Sequence, residues 1–227
     1  MFIGHYGVGF VAKRFAPKTS LGTLFIAAVL LDLIWPVLVL VGVERVSIPP
    51  GITKVTPLSF DYYPFSHSLL AVVIWALSFG LVYFAIRRLP LAALVTAIAV
   101  LSHWFLDAVV HRPDLPLSLF GEARAGLGLW NSIPATLLVE GGIFAAGVTL
   151  YLRTTRASDR VGRYGTWALI GVLLLVCAGQ FSGAVPPDDK TVALSALLQW
   201  LFVFQGFWID RHRKTAGAAL RDQMTPR

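Results

Sequence analysis

The stretch VLSHWFLDAVVHRPD, residues 100–114, places His103, Asp107 and His111 four residues apart in an otherwise apolar run. On an α-helix each step of four turns the azimuth by about 40°, so the three side chains share one face about 80° wide. One helix can hand two or three ligands to a single ion in this way. Pro113 and Pro116 stop the helix after His111, which puts His111 at a wet rim rather than in the site. The same spacing also suits a histidine hydrogen-bonded to an aspartate with no ion. What decides between the two is the company that other segments bring.

Four further pieces bring it. In DYYPFSHSLL, residues 61–70, Pro64 requires a helix to begin after it, and Ser66 is a natural N-cap. His67 then falls in the first turn, where the helix dipole disfavours the imidazolium and leaves a lone pair for a cation. Ser68 as a hydrolytic nucleophile lacks a Gly-x-Ser-x-Gly elbow. In LLDLIWP, residues 30–36, Pro36 removes the hydrogen bond that would reach the carbonyl of residue 32. A kink there exposes both the carbonyl and the carboxylate of Asp32. In GHYGVG, residues 4–9, His5 precedes glycines that allow close backbone approach. In LLVEGGIF, residues 137–144, Glu140 is a candidate general base or additional ligand. Each piece also has a purely structural reading: a protonated acid bonded to a neighbouring helix for Asp32 and Glu140, interfacial caps for Ser66 and His67, an idle exposed side chain for His5.

The elements that must position these residues follow from composition. The chain has 227 residues, of which 56% are hydrophobic and 14% charged. Its mean hydropathy is +0.72. Apolar runs of about 20 residues recur, which predicts an all-α polytopic bundle. Spans are expected near 21–43, 66–86, 90–110, 131–152, 165–184 and 191–209. The stretch 2–15 is too short to cross and is expected to be a half-helix that folds back into the bundle or lies at the interface. Residues 1–210 form one integral-membrane domain, and 211–227 a basic cytoplasmic tail. The single cysteine, Cys177, allows no intrachain disulfide, and no signal peptide is expected.

If loops alternate sides, 14 of the 19 Lys and Arg fall on the side of both termini. Arg45, Lys54, Arg112, Arg124 and Lys190 fall on the other. The positive-inside rule therefore puts both termini in the cytoplasm. The net charge of +7 is a topology signal. No aromatic or motif pattern accompanies the basic tail, so nucleic acid is not an expected partner. Within the spans, Asp32, Asp107, Glu140 and His103 each cost a few kcal/mol to insert. A polar cavity in the outer half of the bundle accounts for them economically.

In chain order the pieces are His5-Tyr-Gly-Val-Gly9, Asp32 with Pro36, His67-Ser68, and His103 with Asp107. This order resembles the bacterial inner-membrane metal-dependent hydrolases regulated by the SOS repressor LexA. The resemblance covers about the first 115 residues. Where that family has Pro-Asp-x-Asp this chain has Leu31-Asp32-Leu33-Ile34, and where it has His-Arg-x-x-Thr-His-Ser this chain has Tyr62 to Ser68 with one histidine. A carboxylate and a histidine of the family pattern are thus missing, which bears on a second metal. The resemblance implies a hydrolase, a bacterial inner-membrane location, and metal ligands at His5, Asp32, His67, His103 and Asp107.

A set of three histidines and two or three carboxylates without thiolate suits Zn²⁺ best, ahead of Mn²⁺ or Fe²⁺. Zinc lowers the pKa of bound water to about 7. Glu140 or Asp61 would accept the proton. An ester, amide or phosphoester at the headgroup of a lipid-like amphiphile is the expected substrate class. Two readings compete. Asp32, Glu140 and His103 would also serve a proton- or ion-coupled transporter, although no inverted repeat supports it. A non-catalytic scaffold assembled through Gly179-x3-Gly183 is the other. Oligomeric state is not legible.

Overall fold

The computed structural model describes residues 1–49, 51–181 and 185–216. Among these residues, six stretches are long and apolar enough to cross a membrane. They are α2 (Leu21–Leu40), α4 (Leu69–Arg87), α5 (Pro90–Val110), α6 (Ile133–Thr154), α7 (Arg160–Gln180), and the pair α8 (Asp189–Leu197) and α9 (Gln199–Arg211), which meet at Leu198. A 13-residue helix, α1 (Ile3–Phe15), precedes them, and a single turn, α3 (Pro64–His67), precedes α4. At 1.5 Å per residue α1 is about 20 Å long, too short to cross about 30 Å of hydrocarbon. The described residues form an all-α polytopic bundle with three two-stranded antiparallel ribbons outside the spans. These are β1 (Arg45–Ser47) with β2 (Ser59–Tyr62), β3 (Leu115–Pro116) with β4 (Arg124–Ala125), and β5 (Thr155–Ala157) with β6 (Arg213–Thr215).

Local sequence sets the helix ends. Ser20, Ser132, Asp159 and Asp188 each accept a backbone N–H two or three residues into the helix that follows. Asp159 starts α7 five residues before the hydropathy-based boundary of 165. Ser68, not Ser66, caps the second span, its hydroxyl accepting the Ala71 N–H at 3.1 Å. Pro64 opens the separate turn α3, which frees Ser66 for another role. The expected bend in α2 is displaced: the non-helical residue is Val29 (φ −114°, ψ 19°), and Pro36 lies within the helix. The tail expected from residue 211 begins as structure, because the Arg213 guanidinium donates to the Gly162 carbonyl at 2.9 Å and β6 pairs with β5. Residues 217–227, and Gly183 of the Gly179-x3-Gly183 pair, lie outside the described residues.

Lipid-facing surfaces are apolar: Leu77, Leu81 and Ile86 of α4 are 59–72% exposed. The interior inverts this, with His5, Glu44, Ser66, His67, His103, Asp107, His111 and Glu140 buried. The half-helix α1 sits against α2, α5 and α6. Its Tyr6 and Phe10 are fully buried, with edge-on rings against Phe25 at 5.1 and 5.0 Å. Backbones meet where α1 crosses α6, since a Cβ at Gly147 would lie 2.2 Å from the Gly7 carbonyl oxygen and one at Gly7 2.9 Å from that of Ile143. Both ends of α1 are held. Glu140 of α6 accepts the Phe2 N–H at 2.8 Å, and Lys13 donates to the Thr19 carbonyl at 2.8 Å and to Asp210 at 2.9 Å.

Candidate metal centre

The crossing of α1 brings His5 to the same depth as the polar stripe of α5. The imidazoles of His5 and His103 stack, with centroids 3.6 Å apart and planes 7° from parallel. His5 Nε2 lies 3.0 Å from Asp107 Oδ1. A carboxylate only accepts, so His5 donates through Nε2–H. The α-amino group of Met1 donates to the same oxygen at 2.6 Å.

The other oxygen of Asp107 faces a cage of donors. Oδ2 lies 3.2 Å from His103 Nε2 and 3.8 Å from His67 Nε2. Asp32 Oδ1 lies 3.7 Å from His103 Nε2 and 3.6 Å from His67 Nε2. Four edges of a four-cornered figure are therefore 3.2–3.8 Å long. Spacings of this size are those of ligand atoms that each lie about 2.0–2.2 Å from one zinc ion. Two overlapping groups have the spacing to hold an ion, Asp32–His67–His103 and His5–His103–Asp107, each with its ligand atoms within 4.8 Å of one another.

Both cage imidazoles are held so that Nε2 presents a lone pair to the centre. His103 Nδ1 lies 2.9 Å from the Ala28 carbonyl oxygen, which accepts its proton. That carbonyl sits at the Val29 kink, where the helical ladder of α2 is interrupted. His103 Nε2 is buried and has no hydrogen-bond partner among the described residues. His67 Nδ1 lies 2.7 Å from Ser66 Oγ. The Ser66 hydroxyl donates to Glu44 Oε2 at 2.6 Å, so it must accept from His67 Nδ1–H. Glu44 Oε1 accepts the amides of Phe65 and Ser66 at 2.8 and 2.9 Å, which fixes α3 to the end of α2. Outer groups that take the second N–H of a ligating histidine, orienting its ring and raising its basicity, are a regular feature of metal sites.

His111 belongs to this centre, although the sequence places it at a wet rim. It is buried, its Nε2 is 3.9 Å from Asp107 Oδ2, and Trp130 lies against it at 4.4 Å. Asp114 Oδ1 accepts from its Nδ1 at 3.1 Å, and Arg112 holds the other oxygen of Asp114 at 3.1 Å. Burial pushes His111 below the ordinary imidazole value against the pull of Asp114, which leaves it neutral at pH 7. The prolines after His111 do end the helix, but the segment that follows folds back over it: the Gly128 N–H donates to the His111 carbonyl at 2.7 Å, and the Trp130 ring covers the imidazole.

The two acids considered as proton acceptors are placed differently. Glu140 is buried and spends Oε2 on the N-terminus of α1, 2.8 Å from the Phe2 amide and 3.5 Å from that of Gly4. Asp61 does not reach the centre. It is exposed on β2, and strand alternation turns it away from Phe60, which lines the cavity. That cavity, of about 340 Å³, has Asp32, His67, Asp107 and His111 at its base. Trp35, Phe60, Trp130 and Val192 give it apolar walls, and Gln180, Gln199 and Ser195 add neutral polar groups. It is the shape and chemistry of a small-molecule site.

Of the sequence-derived metal ligands, His5, Asp32, His67, His103 and Asp107 all converge here. Glu44, His111 and Asp114 are the additions from the structure. No protein-family model, curated protein or solved structure matches the chain.

Proposed function

We propose that this protein is a membrane-embedded, zinc-dependent hydrolase acting on an ester, amide or phosphoester of a lipid-like amphiphile. The observation that carries the reading is the cage of Asp32, His67, His103 and Asp107, four donors from α2, α3 and α5 at ligand-to-ligand spacing. Two neutral imidazoles and two carboxylates are a donor set suited to Zn²⁺, and two charges on the protein balance the ion. A bound zinc ion would supply Lewis acidity and the activation of water near neutral pH. His5 steadies Asp107 from behind, and Glu44 through Ser66 steadies His67. His111, backed by Asp114, stands on the cavity wall where a proton acceptor is needed. The apolar walls receive the acyl or isoprenoid part of the substrate, and Gln180 and Gln199 its polar head. The order of the motifs, which resembles that of the LexA-regulated hydrolases, supports a bacterial inner-membrane location, and the Lys and Arg distribution supports cytoplasmic termini.

The test is metal content by mass spectrometry on protein purified in detergent. Wild type should carry close to one zinc per chain and the His67→Ala, His103→Ala double variant almost none. Equal metal in the two removes the metalloenzyme reading.

A further inference from the structure

A second concavity lies at the opposite end of α1, away from the metal centre. It measures about 660 Å³ and is lined by Arg14, Lys18 and Arg153, with Pro17, Leu150 and Thr154. Arg14 is in the last turn of α1 and Arg153 in the last turn of α6, so both also complement a helix dipole. Lys18 lies beyond either helix, and the fold brings it to the same hollow. Among the described residues no carboxylate comes within 4.0 Å of any of the three cations. The nearby Asp210 is taken by Lys13, and Asp159 by His212.

An apolar groove of about 360 Å³ runs between α1 and the first half of α5, lined by Val8, Val11, Phe15, Leu91, Leu94 and Ile98. Phe15, Leu91, Leu94 and Ile98 are 55–63% exposed to the lipid side. The groove ends at Phe15, next in sequence to Arg14. A cationic hollow at the end of α1, with an apolar slot along the same helix whose last residue adjoins Arg14, matches an anionic phospholipid: phosphodiester in the hollow, one acyl chain in the slot.

We propose that Arg14, Lys18 and Arg153 form a binding site for the phosphodiester headgroup of an anionic phospholipid, whose acyl chain lies between α1 and α5. The lipid ties α1, the carrier of His5, to its neighbours. The site is independent of the hydrolase reading.

Thermal unfolding of the full chain in a neutral detergent tests it, with added dioleoyl phosphatidylglycerol, dioleoyl phosphatidylcholine or inorganic phosphate. Phosphatidylglycerol near saturation should raise the Tm of wild type by about 5–10 °C. Phosphatidylcholine and phosphate should each give less than a third of that rise. Arg14→Gln, Lys18→Gln, Arg153→Gln should lose most of it, while Arg14→Lys, Arg153→Lys and a control at the opposite ends of the spans, Lys54→Gln, Lys190→Gln, should keep it. Equal rises with phosphatidylcholine would mean that only the chain is bound, and equal rises with phosphate that a free anion suffices. Either outcome, or an undiminished rise in the triple variant, overturns the proposal. If the triple variant does not fold, native mass spectrometry of wild type decides, with one retained phosphatidylglycerol expected and none refuting the site.

Discussion

Replacing Ser66 by alanine tests the orientation of His67 without touching a ligand. In wild type the His67 Nδ1 proton goes to Ser66 Oγ at 2.7 Å, and the serine proton goes to Glu44 at 2.6 Å. Without Oγ nothing fixes the tautomer, and the ring can present Nε2–H to the centre instead of a lone pair. Loss of such an outer partner costs about 10–100-fold in metal affinity, or about 1.4–2.7 kcal/mol. The same change takes the hydroxyl donor from buried Glu44 Oε2, while Oε1 keeps its two amides. An orphaned buried acceptor costs a further ~1–3 kcal/mol of fold stability. The two effects separate experimentally. Competition with a chromophoric chelator reads zinc affinity, and thermal unfolding in excess chelator reads the metal-free fold. Ser66→Thr, which keeps a hydroxyl, should recover most of the affinity. If Ser66→Ala binds zinc within twofold of wild type while His67→Ala loses it, the relay to Glu44 is irrelevant and the tautomer argument fails.

Gly147→Ala should force α1 off α6, because the new methyl would sit 2.2 Å from a backbone oxygen. The expected outcome is a loss of about 1–3 kcal/mol in unfolding experiments together with weaker zinc binding, since His5 moves with α1. Asp61→Asn should leave zinc affinity and any hydrolytic rate within twofold of wild type, and a tenfold loss would place Asp61 in the chemistry after all. Stripping zinc from a protein saturated at about 100 times Kd should lower Tm by about 5–10 °C, and an unchanged Tm would mean that no metal is held. At the surface, the Gly162 N–H and then His212 hold the Asp159 carboxyl below its ordinary value. A depressed carboxylate stabilises above its unfolded pKa, and that contribution fades as pH falls through the lower folded value. Asp159→Ala should therefore flatten the acid limb of the stability profile below about pH 4, and a profile parallel to wild type would discount the cap.

The spans were legible because lipid imposes a length and a composition that hydropathy reads directly. The boundaries that shifted did so for polar reasons that hydropathy does not weigh, such as the Asp159 cap on α7 and the transfer of the α4 cap from Ser66 to Ser68. The convergence of His5, Asp32, His67, His103 and Asp107 was legible because an imidazole or carboxylate in an apolar run must be buried against other polar groups. Glu44 was not, since a lone acid just past a span looks like any loop residue, and only the fold carries it to Ser66. His111 was misplaced because prolines end a helix in water and under a folded loop alike. The α2 kink was assigned to Pro36, yet the carbonyl that matters is at Ala28. Proline announces a missing donor, whereas the demand of His103 for an acceptor is a tertiary fact.

The shortness of α1 has a bearing on biogenesis. A segment that cannot traverse the bilayer has no insertion step of its own, and its slot exists only after α2, α5 and α6 have assembled. His5 is then the last of the converging imidazoles to arrive, although it is the earliest to leave the ribosome. Completion of the centre thereby reports that the surrounding spans have reached their final arrangement.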